Sequence, residues 1–349
     1  MADGRGGGRV TLRDVARAAQ VSTTTVSDSL NGSGALPEQT RRRVRDIALA
    51  MGYRPSVAAR SLRNGRTGIL VIAMLPSDVD AESLWHVDFF MRVMAGAAIE
   101  ATRRGYFLAV APAPMQLDVA HDGLIAVDPS DRDPLVEQAC ERGTPVSTVG
   151  RTASPTASWV DSDYDVAVAD VLDHLERQGA GRPMLITHDS DASYIGIVEA
   201  EFAAWCARRG IENRHARIRG AFNPTAARAA VREILRGPGR PDALFAGLDQ
   251  LALAAQLAAF DIGLRVPHDL LMANLGDGPS VANAPVPITV VELRAEEMGR
   301  KAVSMLVDQI EGTAEPRHEV MPSHLVLRAS TAQRSDPTVA VQAVSANET

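Results

Sequence analysis

The side chains able to do chemistry in this 349-residue chain are arranged for recognition more than for catalysis. Its eight histidines form no metal-spaced pair, and neither an HExxH nor a CxxC motif occurs. His188-Asp189-Ser190 holds the residue types of a hydrolytic triad, but neighbours in sequence do not reach triad geometry by being neighbours. Gly276-Asp277-Gly278-Pro279-Ser280 is not a dinucleotide fingerprint, and no Walker loop is present. No cofactor, metal or enzymatic activity is expected. What stands out is an N-terminal group of short hydrogen-bonding side chains, Thr23, Thr24, Ser27 and Asp28, in an arginine-rich stretch. Such groups bond to base edges and phosphates.

The charge distribution supports that chemistry. The whole chain carries −7, which argues against a polyanion partner. Residues 1–66, however, hold 12 arginines against 5 acids, or +7, and the remaining 24 bases against 38 acids leave −14. A basic end on an acidic body predicts a nucleic-acid-binding module joined to a module with another task. Two cysteines, Cys140 and Cys206, make no disulfide framework, and no run of about 18 apolar residues occurs. With no apolar signal core in Met1–Val10, secreted and membrane-spanning classes are not expected.

Three short helices must position the polar group. Thr11 with Asp14 three residues on forms a capping box, and Leu12, Val15, Ala16 and Ala19 share one helical face. Gln20-Val21 breaks the pattern, and Ser22 caps a second helix over about Thr23–Leu30 whose Val26 and Leu30 point inward. Thr23, Thr24, Ser27 and Asp28 are then left on or near its outer face. Pro37 suits the first turn of a third helix, running through Val44, Ile47, Ala48 and Met51 to Gly52. This is helix-turn-helix geometry.

The segment closely resembles the headpiece of the lactose-repressor/galactose-repressor (LacI/GalR) family of bacterial transcription factors. The matching residues include Val10-Thr11-Leu12, Asp14-Val15-Ala16, Val21-Ser22, Thr25-Val26-Ser27, Leu30-Asn31-Gly32, Thr40-Arg41, Met51-Gly52-Tyr53-Arg54-Pro55 and Ala58-Ala59-Arg60-Ser61-Leu62-Arg63. The resemblance implies base reading by Thr23, Thr24 and Asp28, and backbone contacts by Thr11, Ser22, Thr25, Ser27, Asn31 and Tyr53. It also implies a hinge helix that enters the minor groove through Ser56, Ala59, Leu62 and Arg63, with Leu62 as the wedge. Asp28 stands where many members carry an arginine that reads guanine. An aspartate accepts from cytosine N4 instead, so a different base is expected there, unless Asp28 pairs with a nearby arginine.

From Thr67 onward, apolar runs alternate with amphipathic stretches. Gly68–Met74, Tyr106–Ala111, Gly123–Val127, Pro145–Val149, Pro183–Thr187, Asp242–Ala246, Leu270–Leu275 and Ile288–Leu293 read as buried strands, and Phe90–Gly105 as a helix. The fold class expected is α/β: the headpiece followed by a two-lobed, periplasmic-binding-protein-like, doubly wound effector domain. The boundaries expected are a flexible leader 1–9, headpiece 10–55, hinge and linker 56–66, effector and dimerisation domain 67–330, and a disordered tail 331–349. The tail lacks leucine heptads, which favours a dimer on a roughly palindromic site.

Strand ends supply the cleft candidates: Ser77, Asp78, Phe89, Phe90, Asp128, Arg151, Asp163, His188, Asp249 and Asp277, with Asp189 and Tyr194 beside them. The resemblance adds three positions where sugar-responsive members carry Asn, Arg and Asp, occupied here by Leu248, Val198 and Gly276. Lost polar partners argue against an ordinary monosaccharide. The expected partners are double-stranded operator DNA, a second copy of the chain and a small-molecule effector of unknown identity. The expected location is the cytoplasm, at the nucleoid. Three other readings stay open: control by a protein corepressor, an effector-independent regulator, and a solute-binding protein.

Overall fold

The computed structural model describes residues 10–31, 34–53, 66–74, 87–112 and 120–332. The leader 1–9, the hinge residues Ser56, Ala59, Leu62 and Arg63, the cleft candidates Ser77 and Asp78, and the tail from 333 lie outside them. The chain divides into two compact units after Gly68.

The first unit holds α1 (Leu12–Ala19), α2 (Thr23–Asn31) and α3 (Glu38–Ala50). Val15, Ala16, Ala19, Val26, Val44 and Ala48 form its core, with Leu12, Leu30, Ile47, Met51 and Tyr53 packed around them. Pro37 sits at the N-cap of α3, one residue before the helix proper.

The second unit is built from two six-stranded sheets. The first contains β1 (Ile69–Met74), β2 (Phe107–Pro112), β3 (Gly123–Val127), β4 (Val146–Val149) and β5 (Ser158–Ser162). The second contains β6 (Pro183–His188), β7 (His215–Ile218), β8 (Ala243–Ala246), β9 (Leu271–Leu275) and β10 (Thr289–Glu292). Each sheet then gains one late strand, β11 (His318–Met321) beside β5 and β12 (His324–Val326) beside β10. The orders are β11-β5-β4-β3-β1-β2 and β12-β10-β9-β8-β6-β7, every pairing parallel except β10–β12. The central strand β1 shows the register: Leu70 faces Leu108 on one side and Gly123 on the other. β3, β4, β9 and β10 are buried along their whole length, as parallel strands covered on both faces require.

The connecting helices are α4 (Asp88–Arg103), α5 (Pro134–Glu141), α6 (Tyr164–Arg177), α7 (Ser193–Arg209), α8 (Pro224–Arg236), α9 (Asp249–Asp261), the short α10 (Pro279–Ala282) and α11 (Ala295–Glu311). The chain passes between the lobes after β5, after β10 and between β11 and β12. Near the end, Thr331 is buried and its hydroxyl bonds His174 Nε2 at 2.7 Å and Thr289 Oγ1 at 2.6 Å. Order therefore runs past 330, where a tail was expected to begin, because these buried hydroxyls and the imidazole need one another.

Helices α4 and α11 pack so closely that glycine is obligatory. A Cβ on Gly299 would lie 2.0 Å from the Val93 carbonyl oxygen, and one on Gly96 would lie 1.9 Å from that of Glu296. Gly299→Ala is therefore expected to cost about 2–3 kcal/mol through forced helix separation. Thermal denaturation should show a fall of several degrees; an unchanged melting temperature would mean that the crossing relaxes freely.

Candidate functional site

The first unit places its polar side chains through caps. Thr11 N–H donates to Asp14 Oδ2 at 2.9 Å while Thr11 Oγ1 accepts from Asp14 N–H at 3.3 Å, so the capping box is formed. The bonds from the Thr11 hydroxyl and N–H hold the Asp14 carboxyl below its usual range. Gln20, at φ 52°, ends α1 in the left-handed region. Ser22 Oγ accepts from Thr25 N–H at 3.0 Å and lies 2.8 Å from Thr25 Oγ1. Ser22 and Thr25 thus start α2, and Thr23 and Thr24 stand exposed on its first turn. Two hydroxyls on an exposed helix N-terminus can meet base edges, while neighbouring N–H groups meet phosphate.

Two side chains expected to face outward are placed differently. Ser27 is only 7% exposed, because α2 is held between α1 and α3 and buries more than its Val26 edge. Asp28 is half-buried, with its carboxylate against Gly34: a Cβ there would come within 3.0 Å of Oδ2. Arg41 donates to the carbonyls of Asp28, at 3.2 Å, and of Gly34. Arg43 and Arg45 likewise reach the Ala19 and Ser29 carbonyls, each at 3.0 Å. Three arginines of α3 thereby satisfy backbone acceptors at the ends of α1 and α2, so part of the basic charge serves the fold. Tyr53 is half-buried against the same core, and the Asn31 side chain is outside the described residues.

In the second unit a cavity opens where the strands of both lobes end. Carboxyl ends of parallel strands are where such folds bind ligands, since loops diverge there and helix N-termini converge. Its walls are Val87–Phe90 at the start of α4, Asp128 after β3, Tyr164 at the start of α6 and His188 ending β6. Tyr194 of α7, Phe222 after β7, Gly247–Asp249, Asn274–Asp277 at the end of β9 and Leu293 complete them. Phe89, Phe90, Asp128, His188, Tyr194, Leu248, Asp249, Gly276 and Asp277 are thus brought together. Tyr164, Phe222 and Asn274 join them without having been read from sequence. Tyr164 and Phe222 follow β5 and β7, strands whose sequences carry no apolar run.

Three cleft candidates lie elsewhere. Val198 is fully buried inside α7, where helical spacing turns it to the core. Arg151 donates to Asp161 at 2.8 Å and stacks over Trp159. Asp163 accepts from Ser323 N–H at 2.8 Å, which ties two crossings between the lobes together. Asp189 pairs with Arg219, so no triad forms with His188. Among the described residues no cluster of three His, Cys, Asp or Glu side chains could hold a metal, and no helix is long and apolar enough to cross a membrane.

The start of α4 clasps the opposite lobe. Asp88 N–H donates to Asp249 Oδ2 at 3.0 Å, and Asp88 Oδ2 accepts from Ser280 N–H at 2.9 Å. One turn on, Arg92 Nη1 reaches the Asp277 carbonyl at 2.9 Å and Glu292 Oε2 at 3.0 Å. Gly278 is needed beneath this clasp, since a Cβ would sit 2.2 Å from Asp88 Oδ2.

Two carboxyls that line the cavity, Asp128 and Asp249, and Asp161 outside its lining are held away from water. Burial, reinforced by the charge of Asp161, pushes the Asp128 carboxyl up to about 8. Burial lifts Asp161 to about 6 despite the Ser162 N–H and Arg151, and lifts Asp249 to about 6. The Tyr164 and Tyr194 hydroxyls are raised for the same first reason. A carboxyl whose pKa is raised on folding favours the fold while protonated. This contribution is complete below pH 4 and is lost as pH rises to about 6 for Asp161 and Asp249 and about 8 for Asp128. Asp128→Asn should therefore stabilise the ligand-free protein by about 2 kcal/mol at pH 9 and hardly at all at pH 4. Thermal denaturation across that range reads the difference, and equal gains at both pH values would contradict it.

Comparison with known proteins agrees with both units. Residues 11–56 match the family described as bacterial regulatory proteins, lacI family, and residues 172–331 match a periplasmic binding protein-like domain. The HTH-type transcriptional regulator CelR of Thermobifida fusca is 29% identical over 342 residues, covering 92% of this chain and 98% of that protein. The HTH-type transcriptional repressor PurR of Shigella sonnei is 26% identical over 353 residues, covering 92% and 97%. A solved CelR–cellobiose complex matches with a TM-score of 0.68 at 26% identity, covering 92% of this chain and all of that one. The lac repressor dimer bound to operator and the anti-inducer ONPF matches at 0.80 and 21% identity, over 93% and 99%, a likeness of fold.

Proposed function

Because this chain belongs to the lacI family of bacterial regulatory proteins, we propose that it is a dimeric repressor whose hold on a pseudo-palindromic operator is set by a small molecule in the cleft. Its setting is the cytoplasm, where the nucleoid is. Thr23 and Thr24 read base edges, while Thr11, Ser22, Thr25 and the N–H groups of the α2 start fix the register on phosphate. The hinge carrying Ser56, Ala59, Leu62 and Arg63 enters the minor groove at the centre of the operator. The observation that carries this reading is the exposed first turn of α2, capped by Ser22 inside a unit of net charge +7. The CelR complex with cellobiose and the lac repressor complex with operator and anti-inducer support a pairing of DNA end and ligand end.

The clasp made by Asp88 and Arg92 is the element a ligand would bias. A ligand that favours one lobe arrangement shifts DNA affinity only by its differential binding to the two arrangements. A second reading, regulation without an effector, is favoured by one observation: Leu248 and Gly276 offer the cavity no polar side-chain atom where sugar-responsive members do. A metabolite screen by thermal shift, followed by operator titration with each hit, tests the proposal. A hit that changes operator affinity is expected; hits that bind and leave it unchanged would favour the second reading.

A further inference from the structure

We infer that the cleft takes a small organic ammonium ion, held by Asp128 and by the faces of the surrounding rings. This rests on the ligand-gated reading above. Asp128 follows β3 with φ at 53°, lines the cavity, and receives no hydrogen bond from any described donor. Asn274 is fully buried; its Nδ2 donates to the Leu275 and Gly276 carbonyls at 3.0 and 2.9 Å, and its Oδ1 is left without a donor. Asn274 Oδ1 thus awaits a donor, an unpaired buried acceptor costing about 1–3 kcal/mol until a ligand supplies one, and the Asp128 carboxyl beside it, which burial keeps protonated near neutral pH, accepts from a cation once it has released its proton to solvent.

The arginines that approach the cavity are already engaged. Arg328 is bidentate on Asp277 at 2.7 and 2.8 Å, and Arg92 bonds Glu292 and the Asp277 carbonyl. Among the described residues a carboxylate or phosphate ligand would therefore find no free guanidinium at the cavity. Meanwhile Tyr164 and Tyr194 stack with centroids 6.2 Å apart, and Phe222 meets His188 edge-on at 5.3 Å. An ammonium group donates and never accepts, and aromatic faces attract cations. Acceptors without donors inside aromatic walls match that chemistry. They match a neutral polyol poorly, because each of its hydroxyls brings two acceptor lone pairs for one donor.

The test uses the full chain with two pairs of probes of matched shape, phenethylamine against phenethyl alcohol and cyclohexylmethylamine against cyclohexylmethanol, with cellobiose as a neutral polyol. Calorimetric titration is expected to show at least one ammonium binding about tenfold or more tighter than its alcohol, with that advantage lost in Asp128→Asn. Thermal shift of Asp128→Asn, expected to melt no lower than the parent, confirms that the loss is not unfolding. Alcohols that bind as well as the amines, or amines that bind Asp128→Asn undiminished, would overturn the assignment. Silence of both amines would also overturn it. Cellobiose binding that alters operator affinity, with neither amine bound, refutes the ammonium and leaves ligand gating standing. An amine that binds through Asp128 without changing operator affinity refutes the gating and keeps the site.

Discussion

A chain lacking residues 1–66 is expected to lose sequence-specific DNA binding entirely, with affinity falling by at least about a thousandfold at physiological salt. The reason is both geometric and electrostatic. The exposed turn carrying Thr23 and Thr24 goes, and so does the whole net positive charge, leaving a body at −14 that phosphate repels. The body should nonetheless stay folded, since its two sheets and their helices close their own cores, and the first unit has a separate one. Fluorescence anisotropy on selected DNA and thermal denaturation read the two halves of this prediction. Retained specific binding would move the reading head elsewhere.

The second large effect is expected at Arg328. Its guanidinium bonds both Asp277 oxygens and the Ile288 carbonyl, the last at 3.0 Å, and both side chains are less than one-fifth exposed. Arg328→Ala leaves the Asp277 carboxylate at the cavity edge without its counter-charge, a change expected to cost about 3–5 kcal/mol. For a unit of this size that is a fall of roughly 6–15 °C in Tm. Adding Asp277→Asn should restore part of the loss by removing the stranded charge. If the single variant melted with the parent, water would have to be screening the pair, against its burial.

How much of this was legible in the sequence depends on whether the signal was local. The caps at Thr11 and Ser22 were readable because each needs only a hydroxyl and an N–H three residues on. Central strands such as β1 and β9 were readable because burial on both faces forces unbroken apolar runs. The edge strands β7, β11 and β12 were not, since each has an exposed side and only four or three residues. β5 hid for another reason. It buries Ser158, Asp161 and Ser162, and the first two are supported by partners distant in sequence, Gln309 and Arg317 at Ser158 and Arg151 at Asp161.

The cleft shows the same division. Strand-end reasoning reached Asp128, His188 and Asp249, but missed Tyr164 and Phe222 because the strands before them went unread. Ser27 was assigned by position along a helix, which cannot tell which flank a neighbouring helix will cover, and Val198 by the resemblance alone, at a position that α7 turns into its core. Nothing in a list of residues reveals that Asn274 spends its amide on its own loop, or that Arg41, Arg43 and Arg45 serve helix ends. Those facts are tertiary.

The central claim is that a basic helix-turn-helix reads a symmetric DNA site. Selection of the full chain on randomised duplex DNA tests it most directly. The account predicts one enriched motif of two inverted half-sites around a flexible centre, weakened about tenfold or more when Thr23 and Thr24 are both replaced by alanine. Recovery of no motif, or of a motif indifferent to those two threonines, would contradict it.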